Sequence, residues 1–293
     1  MSKSTRRTVI KSMLAGTAAV SLAGKVNASD LTTSEVVPAF KGEINQSVSH
    51  WCFSELSLDQ LCEVAKRMGI RGIDLCSVKE WPILKKHGMA SPMCNGAEIS
   101  LTDGFNEKRF HPILIKNYTE MIPLVAKAGH KNLICFSGSR RGMDDETGLK
   151  NCEEGLKQLL PIAEKHGVVL VMELLNSKKD HKDYQCDRPY WGAELAKRLG
   201  SEHFKLLFDI YHMQVQVGDI IQNINDFHPY IAHYHTAGVP GRHEIDDSQE
   251  LYYPAVMRAI KATGFKGFVG QEFVPQRKDK LASLKQAVQI CDV

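Results

Sequence analysis

Four short strings each end an apolar run on an ionisable side chain. V-V-L-V-M-E-L-L-N carries Glu173, and F-K-L-L-F-D-I-Y-H carries Asp209. Y-I-A-H-Y-H-T-A-G carries His233 and His235, and K-G-F-V-G-Q-E-F-V-P carries Glu272. Gathering three carboxylates in one apolar setting is costly unless a cation compensates them. Three carboxylates with one imidazole make an oxygen-rich donor set. Such a set suits Mn²⁺ or Mg²⁺, with Zn²⁺, Co²⁺ or Fe²⁺ also compatible. His233 and His235 are two residues apart and so point to the same side of a strand. His235 lies nearer the strand end and is the expected ligand; His233 is expected behind it. Taken singly, any of these residues reads as well as a helix cap or half of an ion pair. The set of four at successive strand ends is what points to a shared metal.

Positioning such a set needs a scaffold that brings strand ends together. Short apolar runs alternate with amphipathic segments along the chain. The runs predict strands at Gln46–Trp51, Gly72–Cys76, Met93–Ile99, Asn132–Phe136, Val168–Leu174, Phe204–Phe208, Ile231–His235 and Gly267–Glu272. The spacing predicts helices over Ser57–Met68, Val78–Lys86, Pro112–Lys127, Glu146–His166, Pro189–Leu199, Gly218–Asn225, Tyr253–Thr263 and Asp279–Ile290. Pro161 predicts a kink in the fourth of these. Gly69, Gly129, Gly167 and Gly264 stand where helices should stop before the next strand. The strand–helix alternation makes a single-domain α/β fold, a (β/α)8 TIM barrel, the economical reading. An open doubly wound sheet is the alternative, but no glycine-rich phosphate loop follows the first strand. Barrel chemistry collects at the C-terminal ends of the strands, where all four groups are expected.

The motifs M-E-L-L-N (172–176), D-I-Y-H (209–212), H-Y-H (233–235), P-G-R-H-E (240–244) and G-Q-E-F (270–273) together resemble the xylose-isomerase-like barrel superfamily. Within it, they are similar to the hydroxypyruvate isomerase-like group, over essentially all of residues 43–293. The resemblance implies that Glu173, Asp209, His235 and Glu272 are the metal ligands. It also implies that His212, at the start of a loop after Asp209, contacts a substrate oxygen. Bacterial hydroxypyruvate isomerases typically carry Gln, in an H-I-Q string, where this chain has His235. The H-x-H form is closer to the ketose 3-epimerase relatives.

The chemistry so implied is enolisation. A divalent cation that chelates the carbonyl and adjacent hydroxyl of an α-hydroxycarbonyl compound acidifies the neighbouring C–H and stabilises an enediolate. Glu173 and Glu272 are the expected catalytic acid–base pair. Returning the proton to the other carbon is isomerisation; returning it to the opposite face is epimerisation. A metal-dependent lyase or hydrolase acting on an oxidised sugar or glycoside uses the same site. An endonuclease IV-like nuclease is a further reading, but it expects many more His and Asp ligands and a basic groove. Arg242 is expected to bind a substrate carboxylate or hydroxyl, or else to pair with Glu244. Ser137–Gly142, with Arg140 and Arg141, reads as an anion cradle or as a solvated loop. His50 and Trp51 would wall the sugar site, although Trp51 reads equally as a packed aromatic.

Charge is distributed unevenly. Residues 1–28 hold Lys3, Arg6, Arg7, Lys11 and Lys25 and no acid. Taking those five from the chain's 37 Lys and Arg leaves 32 against 34 Asp and Glu, so the formal charge of +3 hides a remainder of −2. A charged start, the mildly apolar Ser12–Gly24 and the small-residue site Val26-Asn27-Ala28 read as an export signal. Arg6-Arg7 followed by Val9 and Ile10 resembles the twin-arginine type. The expected organisation is a signal peptide over 1–28, a polar linker over 29–42 and the barrel over 43–293, exported to the periplasm. No apolar run is long enough to span a bilayer, so membrane contact is expected only through the signal. The expected partner is a small carbohydrate or hydroxy-keto acid, with no nucleic acid; a homo-oligomer is compatible. The 8 cysteines contain no C-x-x-C and are expected to be buried apolar residues.

Overall fold

The computed structural model describes residues 40–293. The export signal expected over 1–28 and the linker up to residue 39 lie outside the described residues. Residues 40–42, the last three of the expected linker, are tied to the end of the chain. Phe40 packs on the core, and the amides of Lys41 and Gly42 donate to the Asp292 carboxylate at 2.7 and 2.9 Å.

Seven strands form one parallel sheet. They are β1 (Asn45–Ser49), β2 (Gly72–Asp74), β3 (Asn132–Cys135), β4 (Val169–Leu174), β5 (Phe204–Asp209), β6 (Ile231–Thr236) and β7 (Phe268–Gln271). Their order is β2-β1-β7-β6-β5-β4-β3, so first and last strands of the chain are neighbours and the sheet curls. β4, with every residue buried, is the near-continuous apolar run that a strand covered on both faces requires.

The expected third strand, Met93–Ile99, is not a regular strand. Its place between β2 and β3 is taken by residues 90–95, an irregular eighth stave. Ile73 N donates to Ala90 O and Leu75 N to Met93 O on one side. Cys94 N donates to Asn132 O and Ile134 N to Cys94 O on the other. Pro92 has no N–H to give a ladder, and Gly96, at φ 106°, turns the chain away. The barrel closes through single bridges at Cys94 rather than through a full strand.

The helices follow their local signals. α1 (Leu58–Arg67) begins at a capping box in which Ser57 and Gln60 bond reciprocally. α2 spans Trp81–His87 and α3 spans His111–Lys127. The long helix expected over Glu146–His166 is two helices, α4 (Asp145–Lys157, capped by Asp144) and α5 (Leu160–His166). Pro161 sits in the first turn of α5, where its missing N–H costs no bond. α6 (Pro189–Leu199) matches expectation, and the four expected glycine stops all have positive φ. The sequence reading missed α7 (Ile210–Gln216), which starts directly from β5. α8 (Ile220–Phe227), α9 (Tyr253–Ala262) and α10 (Lys280–Cys291) complete the set. All 8 cysteines are buried and free.

Candidate metal centre and cleft

Glu173 is the penultimate residue of β4, Asp209 ends β5, His235 is the penultimate residue of β6, and Glu272 follows β7. All four side chains are buried, and each offers a ligand atom within 4.8 Å of the others. The sheet sets this directly: Asp209 pairs with His235 across β5 and β6, and His235 pairs with Gly270 across β6 and β7. Asp209 is also the N-cap of α7. Its Oδ1 accepts from His212 N at 3.1 Å, which leaves Oδ2 turned to the centre.

His235 shows why this set fits a cation. Its Nδ1 lies 2.9 Å from Glu272 Oε2 and 3.7 Å from Glu173 Oε1. Yet neither ring nitrogen has a hydrogen-bond partner, although both are buried. Nδ1 thus sits close to two carboxylate oxygens without a hydrogen bond to either, an arrangement that suits donors sharing a common ion. Carboxylate oxygens with one imidazole are also the donor chemistry of Mn²⁺ and Mg²⁺.

Arg242 completes the charge. Its Nη2 donates to Glu272 Oε2 at 2.5 Å and to Asp209 Oδ2 at 3.0 Å, so it does not pair with Glu244. Glu244 Oε1 instead accepts from Gln276 N, Arg277 N and Ser283 Oγ. Arg242 has a left-handed backbone, φ 63°, held by its N–H to Gly238 O. That conformation costs a non-glycine residue roughly 1–2 kcal/mol. Arg242 Nη1 faces His212 Nε2 at 3.0 Å, and His212 Nδ1 meets Asn176 Nδ2 at 2.6 Å. His212 is therefore in the first turn of α7, not in a loop as expected. Asn176 and Tyr211 both donate to Asp180 Oδ2, fixing the far side of His212.

The carboxylates respond differently to one setting. Burial, with Glu272 adding repulsion against the pull of His235, pushes Glu173 up to about 7. Burial also raises Asp209, against Arg242. Burial would raise Glu272 too, but His235 and Arg242 outweigh it and hold that carboxyl well below the usual range. Burial and Arg242 hold His212 well below the ordinary imidazole value.

Other expected residues divide. Trp51 is half exposed at the cleft and donates from Nε1 to Glu272 Oε1 at 2.8 Å, whereas His50 turns to Leu56 O. Ser49 Oγ adds a second donor to Glu272 Oε1 at 3.2 Å. Arg140 and Arg141 do not form a free anion cradle; Arg140 pairs with Asp145 and Asp187, and Arg141 with Asp103 and Glu107. Sequence reasoning missed Asp74, which ends β2 beneath His233 and His235. Its signal was the same as for the other acids, a carboxylate closing an apolar strand, G-I-D.

A cleft of about 460 Å³ opens over Glu173, Glu272, Arg242 and His181. The rest of its lining mixes the apolar Leu75, Ile99, Leu101, Ile134, Phe136 and Leu175 with the polar Asn95, Glu98 and Ser100. A larger depression of about 590 Å³ lies at the N-terminal end of the strands. Its Lys205 is already paired with Glu202, and the metal-type cluster is not part of it.

Solved structures resemble this chain at low identity, which speaks for the fold alone. An AP endonuclease of family 2 from Brucella melitensis superposes with a TM-score of 0.73 at 21% identity, covering 82% of this chain and 97% of that one. A 3-keto-D-glucoside 4-epimerase from E. coli superposes at 0.67 and 17%, covering 84% and 97%. In sequence, a putative hydroxypyruvate isomerase of Homo sapiens is 31% identical over 123 residues, 42% of this chain and 44% of that protein. A 2-oxo-tetronate isomerase of Cupriavidus necator is 34% identical over 110 residues, 38% and 42% of the two chains. The chain thus spans less than half the length of these curated relatives. The family model described as xylose isomerase-like TIM barrel matches residues 77–291, most of the described barrel. On that match the chain belongs to the xylose isomerase-like TIM barrel family.

Proposed function

We propose that this protein is a divalent-metal-dependent isomerase acting on a small α-hydroxycarbonyl compound, a sugar or a hydroxy-keto acid, through an enediolate. The observation that carries the reading is the buried convergence of Glu173, Asp209, His235 and Glu272, with His235 Nδ1 lacking a hydrogen-bond partner. These four residues would hold the ion, with Mn²⁺ or Mg²⁺ the best chemical match. When bound, the ion supplies Lewis acidity to the substrate's paired oxygens.

The chain's own groups supply the rest. Glu173 and Glu272 come from strands on opposite sides of His235, so one carboxylate can take a proton from carbon while the other returns it. Trp51 and Ser49 donate to Glu272 Oε1 and Arg242 donates to Oε2, so the orientation of this carboxylate is held from both oxygens. Arg242 lines the cleft and would present N–H groups to substrate oxygens, while the buried His212 backs it, with Nε2 at 3.0 Å from Arg242 Nη1. Trp51 and the apolar part of the lining exclude water from the reacting carbons. The relatives named as hydroxypyruvate and 2-oxo-tetronate isomerases support this class.

One observation favours a substrate larger than a three-carbon acid. The cleft volume of about 460 Å³ falls in the ordinary range of pockets for sizeable ligands. Epimerisation of a ketose, a sugar that a cleft of this size can hold, is the second reading. Export through the twin-arginine route, supported by Arg6-Arg7 and the acid-free first 28 residues, would place the enzyme among periplasmic sugars. Fractionation of cells carrying the full chain, against an Arg6→Lys, Arg7→Lys variant, tests the export.

The enzymatic test is loss of carbon-bound ¹H in D₂O across a panel of α-hydroxycarbonyl compounds, with and without Mn²⁺. Metal-dependent exchange is expected, and its position on the carbon chain separates isomerase from epimerase. Metal binding with no exchange in any compound would overturn the reading.

A further inference from the structure

Asp74 lies below the four-residue centre, at the end of β2, and is fully buried. Three groups converge on its Oδ2. Ser47 Oγ donates to it at 2.6 Å, His233 Nε2 lies at 3.1 Å, and His235 Nε2 lies at 3.6 Å. The last distance is longer than a hydrogen bond but within reach of an ion pair. Asp74 Oδ1 and His235 Nε2 are both buried and both without hydrogen-bond partners. Leaving a buried N–H unpaired costs about 1–3 kcal/mol, so a fold rarely leaves one facing a carboxylate by accident.

The approach of Asp74 to His235 depends on Gly270. A Cβ at that position would press directly against Asp74 Oδ2 and stand 2.8 Å from His235 Cδ2. Gly270 is the cross-strand partner of His235 itself, so the gap in side chains occurs where the imidazole and the carboxylate need it. His233 packs edge-on against His235, with ring centroids 5.0 Å apart, and limits how the second ring can turn.

We propose that Asp74 is the positioning residue of the metal centre. It takes the Nε2–H of His235, so that Nδ1 stays a lone pair directed at the ion held by Glu173, Asp209 and Glu272. Closing the 3.6 Å separation to hydrogen-bond length needs a ring shift of about 0.6 Å, from the usual N–H···O distance of about 3.0 Å. A carboxylate behind a metal-bound histidine fixes ring orientation and tautomer, and its loss typically weakens metal affinity about 10–100-fold. This inference rests on the metal reading of the site.

The test is Mn²⁺ affinity of the full chain by competition with a fluorescent chelator, for wild type, Asp74→Asn and Gly270→Ala. Thermal unfolding of each metal-free protein runs alongside. Asp74→Asn should weaken Mn²⁺ about 10–100-fold. Gly270→Ala, which keeps the carboxylate but drives it from the ring, should weaken it in the same direction. In the Zn²⁺-loaded protein, the ¹⁵N spectrum should show His235 bound through Nδ1 with its proton on Nε2, and Asp74→Asn should shift that Nε2 resonance. A folded Asp74→Asn protein with wild-type affinity and an unmoved resonance would overturn the inference and leave the metal reading standing. A wild-type protein that binds neither Mn²⁺ nor Zn²⁺ would overturn the metal reading, and this inference with it.

Discussion

Asp209 and His235 face each other across β5 and β6 only because the register between those strands slips by one residue. Leu206 pairs with Ile231, but Leu207 pairs with His233. An unbroken ladder would have set Tyr234 opposite Asp209. A slip of one residue exchanges the two faces of a strand, so this irregularity decides which side chain joins the carboxylates. The metal centre is thus built by a bulge as much as by its ligands.

That dependence leads to the first prediction. His235→Ala and Asp209→Asn should each abolish measurable Mn²⁺ binding by calorimetry. Chelator treatment of the wild-type protein should eliminate isotope exchange, and added Mn²⁺ should restore it.

The two glutamates should be separable from mere ligation. Glu173→Gln and Glu272→Gln should each lower the rate of proton exchange by about 10²–10⁴-fold, the scale of general acid–base catalysis. The check is single-turnover exchange at saturating metal, with metal content measured on the same samples. If each variant kept near wild-type turnover with metal bound, the acid–base assignment would fail.

Arg242 is carried by a tight turn in which Gly238 N donates to His243 O and Arg242 N donates to Gly238 O. A methyl group at Gly238 would run into the carbonyl oxygen of Glu244. Gly238→Ala should therefore displace Arg242 and raise KM. Arg242→Lys should lower kcat/KM by at least about tenfold, because an ammonium lacks the guanidinium fork that spans Asp209, Glu272 and His212.

Glu244 gives a pH-dependent prediction away from the chemistry. Burial opposes its ionisation, but the amides of Arg277 and Gln276 and the Ser283 hydroxyl hold its carboxyl below the ordinary value. A depressed folded-state pKa gives stability that is present above the unfolded value, about 4.3, and is lost as pH falls through the folded value. Urea unfolding midpoints of wild type and Glu244→Gln should therefore differ most near pH 7. The wild-type advantage should shrink steadily below about pH 4.3.

Much of this was legible in the sequence because barrel strands announce themselves. Glu173, Asp209, His235 and Glu272 each close an apolar run, and a parallel barrel gathers such ends on one face. What was not legible depends on register and on short-range competition. Position along Y-I-A-H-Y-H singled out His235 as the histidine nearer the strand end, but not the bulge that sets it opposite Asp209, since that register shift is a tertiary outcome. α7 escaped because Asp209 does two tasks, ending a strand and capping a helix within one residue. Asp74 escaped because G-I-D is too short to weigh without seeing His233 and His235 above it. Met93–Ile99 has a strand's composition, but Pro92 just before it has no N–H for a ladder and Gly96, at φ 106°, turns the chain out of the sheet.

The irregular stave at residues 90–95 gives the barrel wall a seam. Elsewhere each strand is laced to both neighbours along its length, whereas here the closure relies on a few isolated bonds around Cys94. Opening should begin where the lacing is thinnest. In native-state hydrogen exchange, Ile73, Leu75, Cys94 and Ile134 should lose protection before the amides of β4 and β5. The chain just beyond the seam contributes Ile99 and Leu101 to the apolar part of the cleft lining. The weakest part of the wall therefore borders the pocket, and loosening its few hydrogen bonds should also admit water to the cleft.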